Sequence, residues 1–294
     1  MIPYATPEEA EAALGRAMTK AEAAWFRYTA ATPDFWLYCC CVALVLLVYT
    51  LAPLPLALLE LCAPAKLTSP YKLQPQVRLS PAAFLRCFKD TSLTMALSIA
   101  PLPFILYPVF KFVHQVRTGL PLPSPWESAA QLLVYFLVED YVGYWIHRLL
   151  HTEWCYDKIH HVHHEYKAPM GYAAPYAHWV EVFVLGSASF AGLAIVPCHI
   201  TTFWLWFIVR PLEAVDTHSG FDFPFSPTKL IPFYGGAEYH DYHHYVGKGS
   251  KNNFASVFTF CDYIYGTHKV YFFLVNVHIY KALITISLKK KTSN

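Results

Sequence analysis

Five long apolar stretches dominate the hydrophobic pattern of this chain. At about 1.5 Å of rise per helical residue, stretches of this length suit the roughly 30 Å apolar layer of a bilayer. The pattern therefore predicts an all-α fold, a polytopic membrane helical bundle with five crossings. In chain order the stretches are 35–61, 91–113, 129–150, 178–197 and 199–215.

Prolines interrupt the first two stretches. Pro53 and Pro55 lie near the end of the first stretch, and Pro101, Pro103 and Pro108 lie within the second. Proline lacks a backbone donor and clashes with the preceding helical turn. We therefore expect the first helix to kink or break near its end.

The two ends of the chain differ from its centre. Residues 1–34 are charged and helix-prone, lack the apolar core of a signal peptide, and are predicted to form an N-terminal amphipathic segment. Residues 35–267 are expected to form the membrane-embedded domain, with a histidine-rich cap on its cytosolic side. Residues 268–294 form a distinct tail, in which residues 271–288 are apolar.

Composition supports a membrane protein. Hydrophobic residues make up 55% of the chain and charged residues only 14%, against about 25% charged in ordinary soluble domains. Membrane lipid is therefore an expected partner. The net charge of +2 and the lack of a basic run interleaved with aromatics argue against nucleic acid. Eight cysteines without a Cys-x-x-Cys pair indicate neither a zinc knuckle nor a disulfide framework.

The distribution of basic residues predicts an orientation. The loop 62–90 carries five lysines and arginines, whereas the connector 117–127 carries one. Basic loops stay on the cytoplasmic face. The predicted crossings put the end of the third stretch on that same face.

Histidines form three clusters with helical spacing, and 12 of the 15 histidines fall between His147 and His244. Residues three or four apart share one face of a helix, so each cluster can direct several imidazoles to one point. The clusters are His147 and His151; His160, His163 and His164; and His240, His243 and His244.

These eight imidazoles predict a metal centre with two ions. Neutral imidazole binds iron, zinc and copper well, and a structural zinc needs only four ligands. A single pair could arise by chance, and clustered histidines also occur in cores or pH-sensing patches. Neither alternative accounts for three clusters with the same spacing.

Further residues are predicted to complete the centre. His178 and His218 flank the last two apolar stretches and are candidate ligands. Asp140 precedes His147 by seven residues and is a candidate for orienting a ligand imidazole, the alternative being a salt bridge or an interfacial position. Glu181 and Asp241 are candidates for the same role. No catalytic residue beyond the ligands is predicted.

Several longer segments carry a family resemblance. The histidine motifs resemble those of the membrane-bound fatty acid hydroxylase and sterol desaturase superfamily. The segments around them and the opening Met-Ile-Pro-Tyr-Ala-Thr resemble its plant type 1 sterol C4-methyl oxidase branch. Beyond residue 267 the chain departs from that branch, whose tail is charged. The resembling segments are 1–6, 156–166, 174–181, 217–224 and 234–245.

The resemblance implies an O2-dependent methylsterol monooxygenase. Its cofactor would be two iron ions in a non-haem centre, with zinc as an alternative in a purified sample because imidazole binds both. Its substrates would be 4,4-dimethylsterols such as 24-methylenecycloartanol, whose C4α methyl is oxidised through alcohol and aldehyde to carboxylate.

The resemblance also implies partners and a location. Cytochrome b5 and its NADH-dependent reductase would supply electrons, since the chain has no G-x-G-x-x-G fingerprint or haem-binding module. A sterol C4-decarboxylase would remove the acid. The location would be the endoplasmic reticulum membrane, with the active site facing the cytosol.

Two other interpretations stay open at this point. A sterol desaturase or fatty-acid hydroxylase of the same superfamily would use the same metal centre. A histidine-lined metal transporter would instead carry ligands at mid-bilayer on several crossing helices.

Overall fold

The computed structural model describes residues 4–269, and this part of the chain is all-α, as predicted. Isolated β-bridges join a few loops, for example Lys72 with Phe221. Most of the predicted C-terminal tail lies outside the described residues. In chain order the helices are α1 (Pro7–Leu14), α2 (Lys20–Ala30), α3 (Asp34–Leu51), α4 (Leu54–Cys62), α5 (Ala65–Thr68), α6 (Pro81–Ile99), α7 (Leu102–Pro108), α8 (Pro125–Leu150), α9 (Glu153–Cys155), α10 (Trp179–Ile195), α11 (Ile200–Thr217), α12 (Gly236–Val246) and α13 (Phe260–Ile264).

Within the described residues, two helical stretches are long and apolar enough to cross a membrane. They are Asp34–Cys62 and Pro81–Val113. Their outer faces carry bare apolar side chains, such as Leu97 at 71% exposure and Phe104 at 72%. Exposed apolar surface on such helices suits lipid rather than water. The total of five crossings stays a prediction.

The first of these stretches is broken where proline predicts it. Helix α3 ends at Leu51, and α4 begins at Leu54, between Pro53 and Pro55. The second stretch is also interrupted, since α6 ends at Ile99 before Pro101. The proline-based prediction for the first helix is confirmed.

The long helices run alternately up and down the bundle. The Tyr172 hydroxyl donates to Thr50 O at the end of α3, and Thr91 in the middle of α6 donates to Tyr172 O. Helices α8 and α10 pack so closely that a Cβ on Gly192 would lie 2.8 Å from Tyr135 Cα. Consequently α3, α8 and α11 all end on one side of the molecule, which we call the proximal end.

The opposite side, the distal end, is closed by loop pairing and by the N-terminal helices. Arg117 N–H donates to Cys198 O at 2.9 Å, and Ile200 N–H donates to Arg117 O at 2.7 Å. The indole of Trp25 in α2 donates to Thr118 O at 2.9 Å and packs edge-on against His199. His199 therefore lies at the distal end, away from the histidine clusters.

Candidate metal centre

Nine imidazoles converge at the proximal end in two adjacent groups. Within each group the ligand nitrogens lie within 4.8 Å of one another. The rings of His164 and His244, one from each group, have centroids 4.6 Å apart, so the groups are neighbours. The first group is His147, His151, His160, His164 and His243; the second group is His163, His218, His240 and His244.

The two His-x-x-His-His motifs divide between the groups in the same way. His240 and His244 are one helical turn apart on α12 and both belong to the second group, whereas His243 reaches the first. In the other motif, His160 and His164 belong to the first group and His163 to the second. Each motif thus contributes its i, i+4 pair to one group and its i+3 imidazole to the other.

The spacing of the nitrogens matches a metal coordination shell. Hydrogen-bond-length contacts between Nε2 atoms measure 2.9–3.2 Å in the first group and 3.0–3.3 Å in the second. Metal–imidazole bonds of about 2.1 Å at right angles would separate two nitrogens by about 3.0 Å. Each group is therefore shaped to hold one ion.

Backbone carbonyls determine which nitrogen of several rings faces the centre. A carbonyl oxygen only accepts hydrogen bonds, so an Nδ1 that contacts one must carry the proton, and Nε2 then presents a lone pair. The pairs are His147 with Phe254 O at 2.7 Å, His163 with Tyr176 O at 3.0 Å, His218 with Ala214 O at 2.8 Å and His243 with Asn252 O at 2.8 Å.

The effect of these fixed tautomers is clearest for the contact between His163 and His218. Both rings donate Nδ1–H to a carbonyl, so their Nε2 atoms, 3.3 Å apart, are both lone-pair donors to a metal and cannot hydrogen-bond to each other in neutral form. Burial lowers the pKa of His163 to about 4, although the bond to Tyr176 opposes this shift. The imidazole is thus neutral at pH 7, the form that binds a metal ion.

Glu181 contacts one of the grouped imidazoles. Nδ1–H of His160 donates to Glu181 Oε1 at 2.8 Å, and both side chains are buried. A carboxylate behind a ligand imidazole holds its tautomer and raises its basicity.

His178 does not join either group. Its Nδ1 accepts from Val180 N–H at 3.3 Å at the start of α10. The imidazole therefore satisfies one of the backbone N–H groups that have no partner at a helix N-terminus. His218, by contrast, lies in the second group.

The structure places Asp140 and Asp241 on partners other than the grouped imidazoles. Asp140 lies about 10.5 Å of helical rise before His147, and its Oδ1 accepts from Val257 N–H at 2.8 Å. Asp241 accepts from the Gln74 side-chain amide at 3.0 Å, and burial raises its pKa to about 7. Both carboxylates hold neighbouring loops, and among the described residues neither forms a hydrogen bond with a grouped imidazole.

An elongated cavity of about 530 Å³ opens onto the centre. The histidines that line it include His147, His163 and His218, and its walls extend to Phe203 near the distal end. From Phe203 to His218 the rise of a helix is about 22 Å. Aliphatic and aromatic side chains form most of the wall, as is usual for sites that enclose small apolar ligands.

Comparison with known proteins shows which family shares the histidine motifs. The family model described as fatty acid hydroxylase matches residues 132–267. Methylsterol monooxygenase 1-1 of Arabidopsis thaliana is 57% identical over 93% of this chain and 92% of its own length. The chain belongs to the fatty acid hydroxylase family. The predicted resemblance is confirmed, and the matched region of the family contains all nine grouped histidines.

Other members of the family with different names are also similar. A protein named very-long-chain aldehyde decarbonylase GL1-10, from Oryza sativa subsp. japonica, is 64% identical over 92% of this chain and 89% of its own length. Methylsterol monooxygenase 1-3 of Arabidopsis thaliana is 50% identical over 99% of the chain and 97% of its own length. No solved structure matches the chain.

Proposed function

We propose that the protein is a methylsterol monooxygenase that oxidises the C4α methyl of 4,4-dimethylsterols such as 24-methylenecycloartanol. The observation that carries this proposal is the pairing of two histidine groups with a long apolar cavity that opens onto them. Relatives at 50–57% identity named methylsterol monooxygenase support it.

The nine grouped imidazoles would hold two iron ions, one in each group. Neutral nitrogen ligands, fixed tautomers and Nε2 spacings near 3 Å fit iron, and they fit zinc as well. Bound iron would supply the O2-dependent oxidation of an unactivated C–H bond, which side chains alone cannot achieve.

The chain's own residues bind and orient the substrate. Apolar walls exclude bulk water and hold the ring system, while the carbonyl and Glu181 contacts keep the imidazoles in place. Each of the three oxidations, methyl to alcohol, aldehyde and carboxylate, would consume one O2, two electrons and two protons, with water as the co-product.

The electrons would come from outside the chain. Reduced cytochrome b5, served by its NADH-dependent reductase, is the proposed donor, because the sequence has no haem or dinucleotide fingerprint of its own. A sterol C4-decarboxylase would consume the carboxylate. We place the protein in the endoplasmic reticulum membrane with the proximal end in the cytosol, which the basic loop 62–90 supports.

A second candidate function follows from the 64% identical relative. Its name, very-long-chain aldehyde decarbonylase, points to long-chain aldehydes as substrates. A narrow apolar cavity would also admit an unbranched chain. Assays that offer a 4,4-dimethylsterol and a long-chain aldehyde side by side separate the two functions by their products.

The metal-transporter interpretation has less support. A transporter would carry its ligands at mid-bilayer on several crossing helices. Here the groups draw on the end of α8, the segment 156–165, the residue after α11, and α12.

The test is complementation of a yeast strain that lacks C4 demethylation, followed by sterol profiling. The wild-type chain should restore C4-demethylated sterols, and His163→Ala, which removes one of the four ligands of the second group, should abolish the effect. His161→Ala is the matched control, because His161 is exposed and belongs to neither group. Well-expressed wild-type protein that leaves 4,4-dimethylsterols unchanged would contradict the proposal.

A further inference from the structure

A buried ion pair interrupts the apolar wall of the cavity. Arg210 of α11 and Glu139 of α8 both line the cavity, and Arg210 Nη2 lies 3.0 Å from Glu139 Oε1. The Arg210 side chain is 16% exposed and that of Glu139 is 5% exposed. Glu213, one turn further along α11, pairs with Arg210 Nη1 at 2.7 Å.

Two polar atoms of this pair are left without a protein partner. Glu139 Oε2, an acceptor, and Arg210 Nε, a donor, are buried and form no hydrogen bond with any described residue. A buried polar group costs free energy unless it is hydrogen-bonded, and the penalty is larger when the group is charged. These atoms therefore call for a ligand that accepts one hydrogen bond and donates another.

A hydroxyl group meets that requirement. Its oxygen accepts from an N–H, and its proton goes to a carboxylate oxygen. A methyl or methylene group satisfies neither atom, and a ketone or an ether satisfies only Arg210. The pair therefore discriminates between lipids that carry a hydroxyl and those that do not.

The position of the pair relative to the histidines fits the geometry of one substrate class. Arg210 on α11 lies eight residues before His218, and Glu139 on α8 lies eight residues before His147, about 12 Å of helical rise in each case. All four residues line the same cavity, and the long side chains of Arg210 and Glu139 span part of that distance. In a 4,4-dimethylsterol the carbon that bears the hydroxyl, C3, is bonded directly to C4. A C4 methyl beside the histidines therefore leaves the hydroxyl only a few bond lengths away, on the side of the ion pair.

We infer that Glu139 and Arg210 bind the 3β-hydroxyl of the sterol and select for substrates that carry it. This inference rests on the proposed function for the identity of the ligand. In the bound state the hydroxyl donates to Glu139 Oε2 and accepts from Arg210 Nε, and the remaining rings extend toward Phe203.

The test measures binding rather than turnover. Zinc-loaded protein in detergent does not oxidise the ligand, so equilibrium binding of 24-methylenecycloartanol and of its 3-deoxy analogue can be compared directly. Wild-type protein should bind the hydroxylated sterol at least about tenfold more tightly, as expected for a hydrogen bond to a charged group. Glu139→Leu should reduce this preference to below about threefold, and Glu139→Gln, which keeps an uncharged acceptor, should retain part of it.

The preference is a ratio of two affinities in one sample, so a smaller folded fraction does not change it. Arg210 also keeps Glu213 as a partner in both variants. Ser187→Ala is the matched control, because the Ser187 hydroxyl on the same cavity wall already donates to Val184 O at 2.7 Å. It should keep the wild-type preference.

Equal or absent binding of the two sterols by wild-type protein would overturn the inference, as would an undiminished preference in Glu139→Leu. The yeast experiment is independent of this result. If sterol demethylation is restored in yeast but the protein shows no preference for the hydroxylated sterol, the proposed function is supported and only the role of the ion pair is contradicted. If the protein prefers the hydroxylated sterol but oxidises no sterol in yeast, the proposed function is contradicted.

Discussion

At the scale of single residues, the centre depends on what lies behind each imidazole as much as on the imidazole itself. Four rings in the two groups are oriented by backbone carbonyls and one by a carboxylate. Replacing Glu181 therefore removes the hydrogen bond that orients His160 and leaves all nine grouped imidazoles in place.

We predict that Glu181→Leu weakens metal binding about 10- to 100-fold, because His160 loses the partner that holds its tautomer. The measurement is metal content after dialysis against a graded series of chelator concentrations. Glu181→Gln should restore part of the affinity, since its amide oxygen still accepts from Nδ1–H.

Asp241→Asn is the control for this experiment. Asp241 is also a buried carboxylate beside the ligands, yet it accepts from Gln74 rather than from an imidazole. The metal content of Asp241→Asn should equal that of the wild type at each chelator concentration. Equal metal retention by wild type and Glu181→Leu would contradict the role given to Glu181.

Spacing along the sequence identified most of the centre but not its supports. The i, i+3, i+4 pattern predicts that imidazoles meet, and nine of the ten predicted ligands do meet. His178 lies outside the two groups, where its imidazole satisfies a free backbone donor at a helix start. The orienting carbonyls, such as Phe254 O and Tyr176 O, leave no sequence signal, since every residue has one.

At the scale of helices, the close contact between α8 and α10 sets the position of His147 relative to Glu181. Gly192 lies directly against Tyr135, with no room for a side chain between the two backbones. Hydrophobic patterning predicts both helices, but it does not show which glycine marks their point of closest approach.

We predict that Gly192→Ala destabilises the protein by about 1–3 kcal/mol, the usual cost of forcing extra volume into a packed interior. The added Cβ would lie 2.7 Å from Tyr135 Cδ1 and 2.8 Å from its Cα. The measurement is the thermal unfolding midpoint in detergent.

Gly186→Ala on the same helix is the matched control. A Cβ at Gly186 meets no atom within 4 Å, and alanine favours a helix more than glycine does. Its midpoint should equal or exceed that of the wild type. An unchanged midpoint for Gly192→Ala would show that α8 and α10 can separate without cost.

At the scale of the whole molecule, the two ends of the bundle differ in structure. The proximal end holds the histidine groups, and the distal end is sealed by the contacts of Arg117, Cys198 and Trp25. The apolar stretches 178–197 and 199–215 have similar lengths, so they predict that the chain returns to the side from which it came. The sequence could not show that α1 and α2 pack over the distal end, since that depends on tertiary contacts such as those of Trp25 and Phe26.

We predict that the distal end faces the lumen of the endoplasmic reticulum. An Asn-Gly-Thr acceptor inserted into the connector 121–124 should be glycosylated in microsomes, whereas the same acceptor inserted at 247–250 should not be. A mobility shift that is reversed by an endoglycosidase is the readout. Glycosylation of the 247–250 insertion alone would invert the proposed orientation.

The uneven make-up of the two histidine groups has a consequence for biogenesis. Four of the five members of the first group precede residue 165, whereas two of the four members of the second group lie on α12. A nascent chain that has not yet emerged past Val246 can offer a nearly complete first pocket but only half of the second. We therefore expect a chain that ends before α12 to bind one metal ion at most, in the first group.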